Sequence, residues 1–215
     1  MAARASAWPL HGIRLVGDVV QLRVMTEADL DEVVGALPDD VELNPSATPY
    51  AGLDERGNRG AAVAQAYWRA LGTWSPDDWA LPFLAHHDDA LVGVQWLEGP
   101  DYRVERTVDS SSWLVSEARG RGLGTAMRAA VLTLAFGPLA AVAAVSSAVA
   151  DNAASLGVSR RLGYRDTHTS VLPHSGAPLQ HVRLTRDAWL ASGQAGRTRV
   201  EGVDAALPLF GRSAP

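Results

Sequence analysis

The sequence contains no cysteine, which excludes a disulfide scaffold, a thiolate metal site and a cysteine nucleophile. It contains no lysine either. All 19 basic residues are arginines, so a Schiff-base lysine, the lysine of a phosphate-binding P-loop and self-modification on lysine are excluded as well. Positive charge is in the minority, with 24 acidic residues and a net charge of −5, which argues against a nucleic-acid partner. Long apolar runs are missing. The longest, Val131 to Val149, is broken by Thr133, Gly137, Pro138, Ser146 and Ser147; it reads as a helix end, a turn and a strand rather than a membrane span of ~20 residues. No continuous hydrophobic stretch follows Arg4, so no signal peptide and no membrane association are expected, and a cytoplasmic protein is the default.

What is present is ordinary globular composition: 215 residues, 47% hydrophobic and 20% charged, enough for one domain with modest extensions and its own core. Residues 1–18 read as an N-terminal lead-in, 19–190 as the domain and 191–215 as a C-terminal tail. The tail carries an apolar cluster, Leu207, Leu209 and Phe210, that needs a cover; a homo-oligomer whose partner subunit the tail wraps is expected on that ground.

Inside the domain, VVQLRV (Val19–Val24) alternates as a strand, and Thr26 with Asp29 forms a cap-like pair opening a helix to Leu37. Residues 38–56 read as loop, and a second helix covers Gly60 to Leu71. WALPFLA (Trp79–Ala85) and ALVGVQWL (Ala90–Leu97) flank His86, His87, Asp88 and Asp89 as a hairpin. That polar tetrad is explained by a hairpin tip better than by a metal, because neighbouring strand residues point oppositely; no metal is expected. A strand at Thr107–Val115, a helix at Gly122–Phe136, a buried strand at Ala140–Val149 and a helix from Asp151 or Asn152 to Leu162 follow. Strands near Tyr164–Val171 and Leu179–Leu184 and a short helix with Trp189 complete the order. Hairpins followed by crossovers predict an α+β fold, a mixed sheet with helices on its faces. Trp68, Trp74, Trp79 and Trp96 are expected mostly in the core, with one or two walling a cleft beside the 38–60 loop.

The most informative stretch is WLVSEARGRGLGT (Trp113–Thr125), a strand running through Gly120, Gly122 and Gly124 into a helix. Glycines allow close backbone approach, the helix start offers N–H groups and a favourable dipole, and Arg119 and Arg121 add forked donors, so the loop suits a pyrophosphate. A glycine-rich turn with arginines in water is the plain alternative. The dinucleotide fingerprint G-x-G-x-x-G fails at its third glycine, and no acidic residue stands ~20 positions on, as that motif requires.

Arg119-x-x-Gly122-x-Gly124 resembles the Q/R-x-x-G-x-G/A pyrophosphate loop of the GNAT superfamily of acyl-CoA N-acyltransferases. Asn152-Ala-Ala-Ser155 followed by Gly163–Tyr164 is similar to that superfamily's N-x-x-S/A…G-F/Y block, and the resemblance spans roughly residues 19–190. Ser155 and VDSSSWL (Val108–Leu114) resemble the RimJ/RimL-type branch, which acylates protein N-termini and small amines. VDSSSWL, GTAMRAAVLTLAF, DNAASLGVSRRLGYRD, RLTRDAW and the late PLFG (Pro208–Gly211) are similar to a mycobacterial member described as a succinyltransferase.

The resemblance implies the GNAT fold, a mostly antiparallel mixed sheet of about seven strands with helices on both faces, and an enzyme that moves an acetyl or succinyl group from acetyl-CoA or succinyl-CoA to a small or protein primary amine. It implies that the strand ending in Trp113, Leu114 and Val115 pairs with the pantetheine arm and polarises the thioester carbonyl. Arg119, Gly120, Arg121, Gly122, Leu123, Gly124 and Thr125 would hold the pyrophosphate, and Asn152 the pantetheine, or Asn152 would simply cap its helix. Many members protonate the departing thiolate with a tyrosine at the position held here by Ser159. Ser155 then becomes the expected hydrogen-bond donor to the thiolate, unless it bonds its own backbone. Asp109 matches the acidic position of the branch pattern E-I-G-Y-W-L and is the expected base, a solvated strand-edge carboxylate being the alternative. Ser110–Ser112 could line the acyl pocket, and Arg103, Arg106 or Ser111 could meet a succinyl carboxylate. A non-catalytic acyl-CoA-binding regulatory module with the same fold is the competing function.

Overall fold

The computed structural model describes residues 7–44, 47–173 and 175–212. The first six residues of the expected lead-in and the last three of the tail lie outside them. A 3-10 turn at Pro9–Gly12 leads into strand β1 (Arg14–Gly17), then β2 (Gln21–Val24), α1 (Leu30–Ala36), α2 (Glu55–Gly72), β3 (Trp79–His87) and β4 (Ala90–Gly99). After a one-turn helix α3 (Tyr102–Glu105) come β5 (Thr107–Leu114), α4 (Leu123–Phe136), β6 (Ala143–Val149), α5 (Ala153–Arg161), β7 (Arg165–Val171), β8 (Pro178–Thr185), α6 (Arg186–Ala191), β9 (Thr198–Glu201) and a last 3-10 segment at Asp204–Phe210. None of the described helices is long and apolar enough to cross a membrane.

The strands form one sheet in the order β7-β8-β6-β5-β4-β3-β2-β1-β9, so there are nine rather than about seven. The two extra strands, β1 and β9, are four residues each and pair with one another antiparallel, Leu15 opposite Val200. The sheet therefore reaches into both the lead-in and the tail. Its pairings are antiparallel except for β5 with β6.

Alternation along the strands divides the core in two. Leu22, Leu81, Phe83, Leu97 and Val108 face the side covered by α4, whose Met127, Val131, Leu134 and Ala135 are fully buried. Met25, Leu84 and Val94 face the other side, under Leu30 and Val33 of α1 and Tyr67 of α2. Gly93 sits opposite Leu114, where any Cβ would overlap the Trp113 carbonyl, so the β4–β5 register demands glycine there.

The apolar tail finds its cover in its own chain. Leu207 and Phe210 are buried, the Trp74 indole Nε1 donates to the Leu209 carbonyl at 2.9 Å, and the Phe210 ring packs edge-on against Trp74 and Trp79 at 5.2 and 5.0 Å. The reason given for a wrapped partner subunit is thereby removed.

The entry to α1 is held by a buried charge. The Asp29 carboxylate accepts from both Arg23 guanidinium ends (2.7 and 2.6 Å) and from the Thr26 N–H and hydroxyl (2.7 and 2.8 Å). Burial alone would raise the Asp29 pKa, but these donors outweigh it and hold the carboxyl at about 2, against an ordinary 3.8. A depressed carboxyl stabilises the fold above its unfolded pKa and loses that contribution as pH falls through the folded one. Asp29→Asn should therefore cost about 2 kcal/mol at neutral pH, with the gap to wild type closing as pH drops from about 4 to about 2. Urea unfolding across that range checks it, and a gap that does not change with pH would contradict the assignment.

Candidate active site

β5 and β6 run parallel only at Thr107, Val108 and Asp109, opposite Ala143, Ala144 and Val145. Beyond that point β5 continues to Leu114 paired with β4 alone, and β6 continues to Val149 paired with β8 alone. The sheet splits into a wedge whose apex is tied by the Ser146 hydroxyl donating to the Ser110 carbonyl at 3.0 Å. From Ser110 onward, each strand presents to the wedge a backbone edge with no strand partner. An extended chain carrying amides can enter such a gap as an added strand.

The open end of the wedge meets the glycine loop. After Leu114 the chain makes a 3-10 turn at Ser116–Ala118, and Gly120 and Gly122 take φ of 74° and 81°, a left-handed backbone that glycine adopts without strain. Gly122 is the N-cap of α4 and offers no side chain; the first turn has no acidic residue; the N–H groups of residues 120–124 meet no acceptor among the described residues. Five donors without an acceptor thus lie at the positive end of a 14-residue helix, a setting that favours an anion. Thr125 is half-buried, its N–H bonded to the Gly122 carbonyl at 3.1 Å.

The side chains around this loop are in part already engaged. Arg119 forms a two-pronged pair with Asp40 of the α1–α2 connection (2.6 and 2.7 Å), and its Nε reaches the Leu114 carbonyl at 3.3 Å. The pair holds Asp40 below and Arg119 above their ordinary pKa values, so both stay charged. Being solvent-exposed, it is weak enough to yield to a dianion. The Arg121 side chain is exposed.

Trp113 packs with the α1–α2 cluster, whereas Leu114 and Val115 pack against the α4 core, so the strand end is divided between the two layers. On the α5 side of the wedge, Asn152 caps the helix, its Oδ1 accepting from the Ser155 N–H at 3.0 Å. Its Nδ2 donates to nothing among the described residues. Ser155 is half-buried, and its hydroxyl is not bonded back to the helix. Instead the Ser159 hydroxyl donates to the Ser155 carbonyl at 3.3 Å and accepts from Arg128 at 2.7 Å.

Asp109 lies at the wedge apex on a central strand, not at a solvated edge. Burial raises its pKa; the Ser110 N–H (2.6 Å), Arg128 and His181 counter this in part. Directly across on β4 stands Glu98, raised by burial and by the charge of Asp109. Sequence reading missed Glu98 because only the strand register brings the two carboxyls opposite. It also missed Arg128, although this is the one charged residue in α4.

Other candidates are occupied elsewhere. Arg103 pairs with Asp77 at 3.3 Å, Arg106 donates to the Ala140 carbonyl at 2.5 Å, and Ser111 and Ser112 are exposed on the stretch of β5 paired with β4 alone. Asp88 and Asp89, at φ 49° and 62°, form the tight turn of the β3–β4 hairpin, and His87 Nδ1 contacts the Val19 carbonyl at 2.7 Å. No group of three or more His, Cys, Asp or Glu among the described residues could hold a metal ion.

Residues 20–165 match the Acetyltransferase (GNAT) domain family. The chain belongs to the GNAT acetyltransferase family. Its fold is similar to Mycobacterium smegmatis RimJ in complex with CoA-disulfide, with a TM-score of 0.65, 20% identity, and 87% of this chain and 94% of that chain covered. It is also similar to a variant of the spermidine N-acetyltransferase SpeG from Vibrio cholerae, with a TM-score of 0.63, 12% identity, and 80% of this chain and 96% of that one covered. In this GNAT domain the split sheet and the free amides of the glycine loop form one continuous feature.

Proposed function

We propose that the protein transfers an acyl group, acetyl or succinyl, from acyl-CoA to a primary amine by direct attack. The observation that carries this reading is the run of free N–H groups at residues 120–124 opening straight into the β5–β6 wedge. The N–H groups would hold the pyrophosphate, with Arg121 and, once released from Asp40, Arg119 adding charge. The pantetheine would lie along Trp113, Leu114 and Val115, reached by Asn152 Nδ2 from the other wall. A β5 amide would polarise the thioester carbonyl.

The acceptor would approach from the α1–α2 side, where adjoining depressions of about 690 and 740 Å³ share Trp68 as a wall. Glu27, Asp31 and Asp54 line the first and would favour a cationic amine. Asp109, with its raised pKa, would take the amine proton; Ser155 would donate to the sulfur.

The presence of serine at 159 favours a second reading, a binding module without turnover. A panel of amines with acetyl-CoA and succinyl-CoA, read as CoA released and as mass of product, separates the two: a module binds coenzyme and yields no product. Ser155→Ala should lower kcat by about 10- to 100-fold with CoA affinity unchanged. Full activity in that variant would remove the serine from the mechanism.

A further inference from the structure

Arg128 is 3% exposed, inside an otherwise uncharged helix. It lies one turn beyond Gly124, the point where α4 meets Leu114 of β5 and Val158 of α5, which sets it under the wedge. Its Nη1 donates to the Ser159 hydroxyl, its Nε has no acceptor, and it takes part in none of the ion pairs among the described residues. Two more buried polar atoms, the Ser110 hydroxyl at the apex and the Tyr164 phenol, interact with each other and bond to nothing else among the described residues. Ser159 of α5 accepts from Arg128, and Tyr164 and Asp109 act on it through charge, offsetting in part the lowering of its pKa by burial; Ser110 lies by Tyr164, and His181 of β8 acts on Asp109. Burial keeps the phenol neutral, with a pKa of about 12. A buried cation with no carboxylate in ion-pair contact is incompletely compensated in the resting protein and is relieved when an anion reaches it.

Resting on the acyltransferase reading, we propose that Arg128 is the fixed positive charge that stabilises the coenzyme A thiolate as it departs. As the amine nitrogen bonds to the thioester carbon, the C–S bond breaks and sulfur keeps the electron pair. The amine proton passes to the Asp109 carboxylate. Ser159 occupies the place of a tyrosine acid, and neither serine nor arginine gives up a proton at neutral pH. The sulfur therefore leaves as an anion, held by Arg128 and the Ser155 hydroxyl, and takes its proton from solvent on release.

The test is the ionisation of coenzyme A bound to the wild-type protein, followed by the ultraviolet absorbance of the thiolate across pH against the complex with desulfo-CoA. Bound coenzyme should carry about tenfold more thiolate than free coenzyme at the same pH. Arg128→Gln should abolish that enrichment and lower kcat about 100-fold, while Arg128→Lys restores part of both. A wild-type complex whose thiol titrates like free coenzyme overturns the proposal and leaves the acyltransferase reading standing; absence of any coenzyme binding sinks that reading itself. The wild-type measurement decides even if Arg128→Gln does not fold. If Arg128→Gln instead weakens succinyl-CoA selectively and leaves the thiol unchanged, the charge serves the acyl end and the proposal falls.

Discussion

Gly122→Trp should lower affinity for coenzyme A by about 100-fold or more while leaving the protein folded. An added Cβ at residue 122 meets nothing within 4 Å, so the substitution creates no clash in the resting fold. The φ of 81° makes a non-glycine residue strained there by roughly 1–2 kcal/mol, which a domain of this size tolerates. Affinity is affected differently. The indole would stand at the mouth of the loop and keep a phosphate from the N–H groups of residues 120–124. Hydrogen bonds to a charged group contribute about 1.5–3 kcal/mol each, so losing two is enough for the stated factor. Gly176→Trp, at a similar φ of 71° and also with open space around it, is the control for strain alone and should bind normally. Titration calorimetry on both variants checks the pair. Equal affinity of Gly122→Trp and wild type would remove the loop from the binding site.

Phe210→Ala should lower the melting temperature by about 10 °C, corresponding to a loss of about 3–5 kcal/mol. The ring is 1% exposed and is packed by Trp74 and Trp79, which themselves stack at 5.9 Å; Trp79 also meets Tyr102 edge-on at 5.1 Å. Removing one member of such a cluster leaves a void that the rigid neighbouring rings cannot close. Differential scanning calorimetry reads the shift. A change of only one or two degrees would mean that the tail is an ornament on the fold rather than part of its core.

Where local chemistry determines structure, the sequence was legible. Gly120 and Gly122 adopt positive φ, Asn152 caps α5, and Thr26 with Asp29 opens the first helical segment, because each depends on residue type within a turn or two. Boundaries moved where a capping residue acted unseen. α2 begins at Glu55 rather than Gly60 because the Asp54 carboxylate accepts from the Gly57 N–H at 2.7 Å, and β6 waits until Ala143 because Ala140 takes φ 55°. β1 and β9 escaped because four residues between glycines carry too little alternation to register.

The wedge itself could not be read from a local pattern. Nothing in VDSSSWL announces that pairing with β6 stops at Asp109; that depends on the tertiary course of two strands. The same holds for Glu98 opposite Asp109 and for the partners of Arg128, although an arginine amid LGTAMRAAVLTLAF was a signal open to reading. Trp68, half exposed beside both depressions, fits the cleft-wall role expected of one tryptophan, while Trp79 is in the core.

The outermost ladder joins the two extremes of the described chain, and this bears on how the protein is made. β1 leaves the ribosome early, yet its partner β9 emerges only after nearly all other elements. Until then β1 carries a bare edge, open to recruitment by other nascent chains. The most distant pairing is also the slowest to find, so completion of this edge should be the late event in synthesis, and the stage at which a chaperone has most to protect.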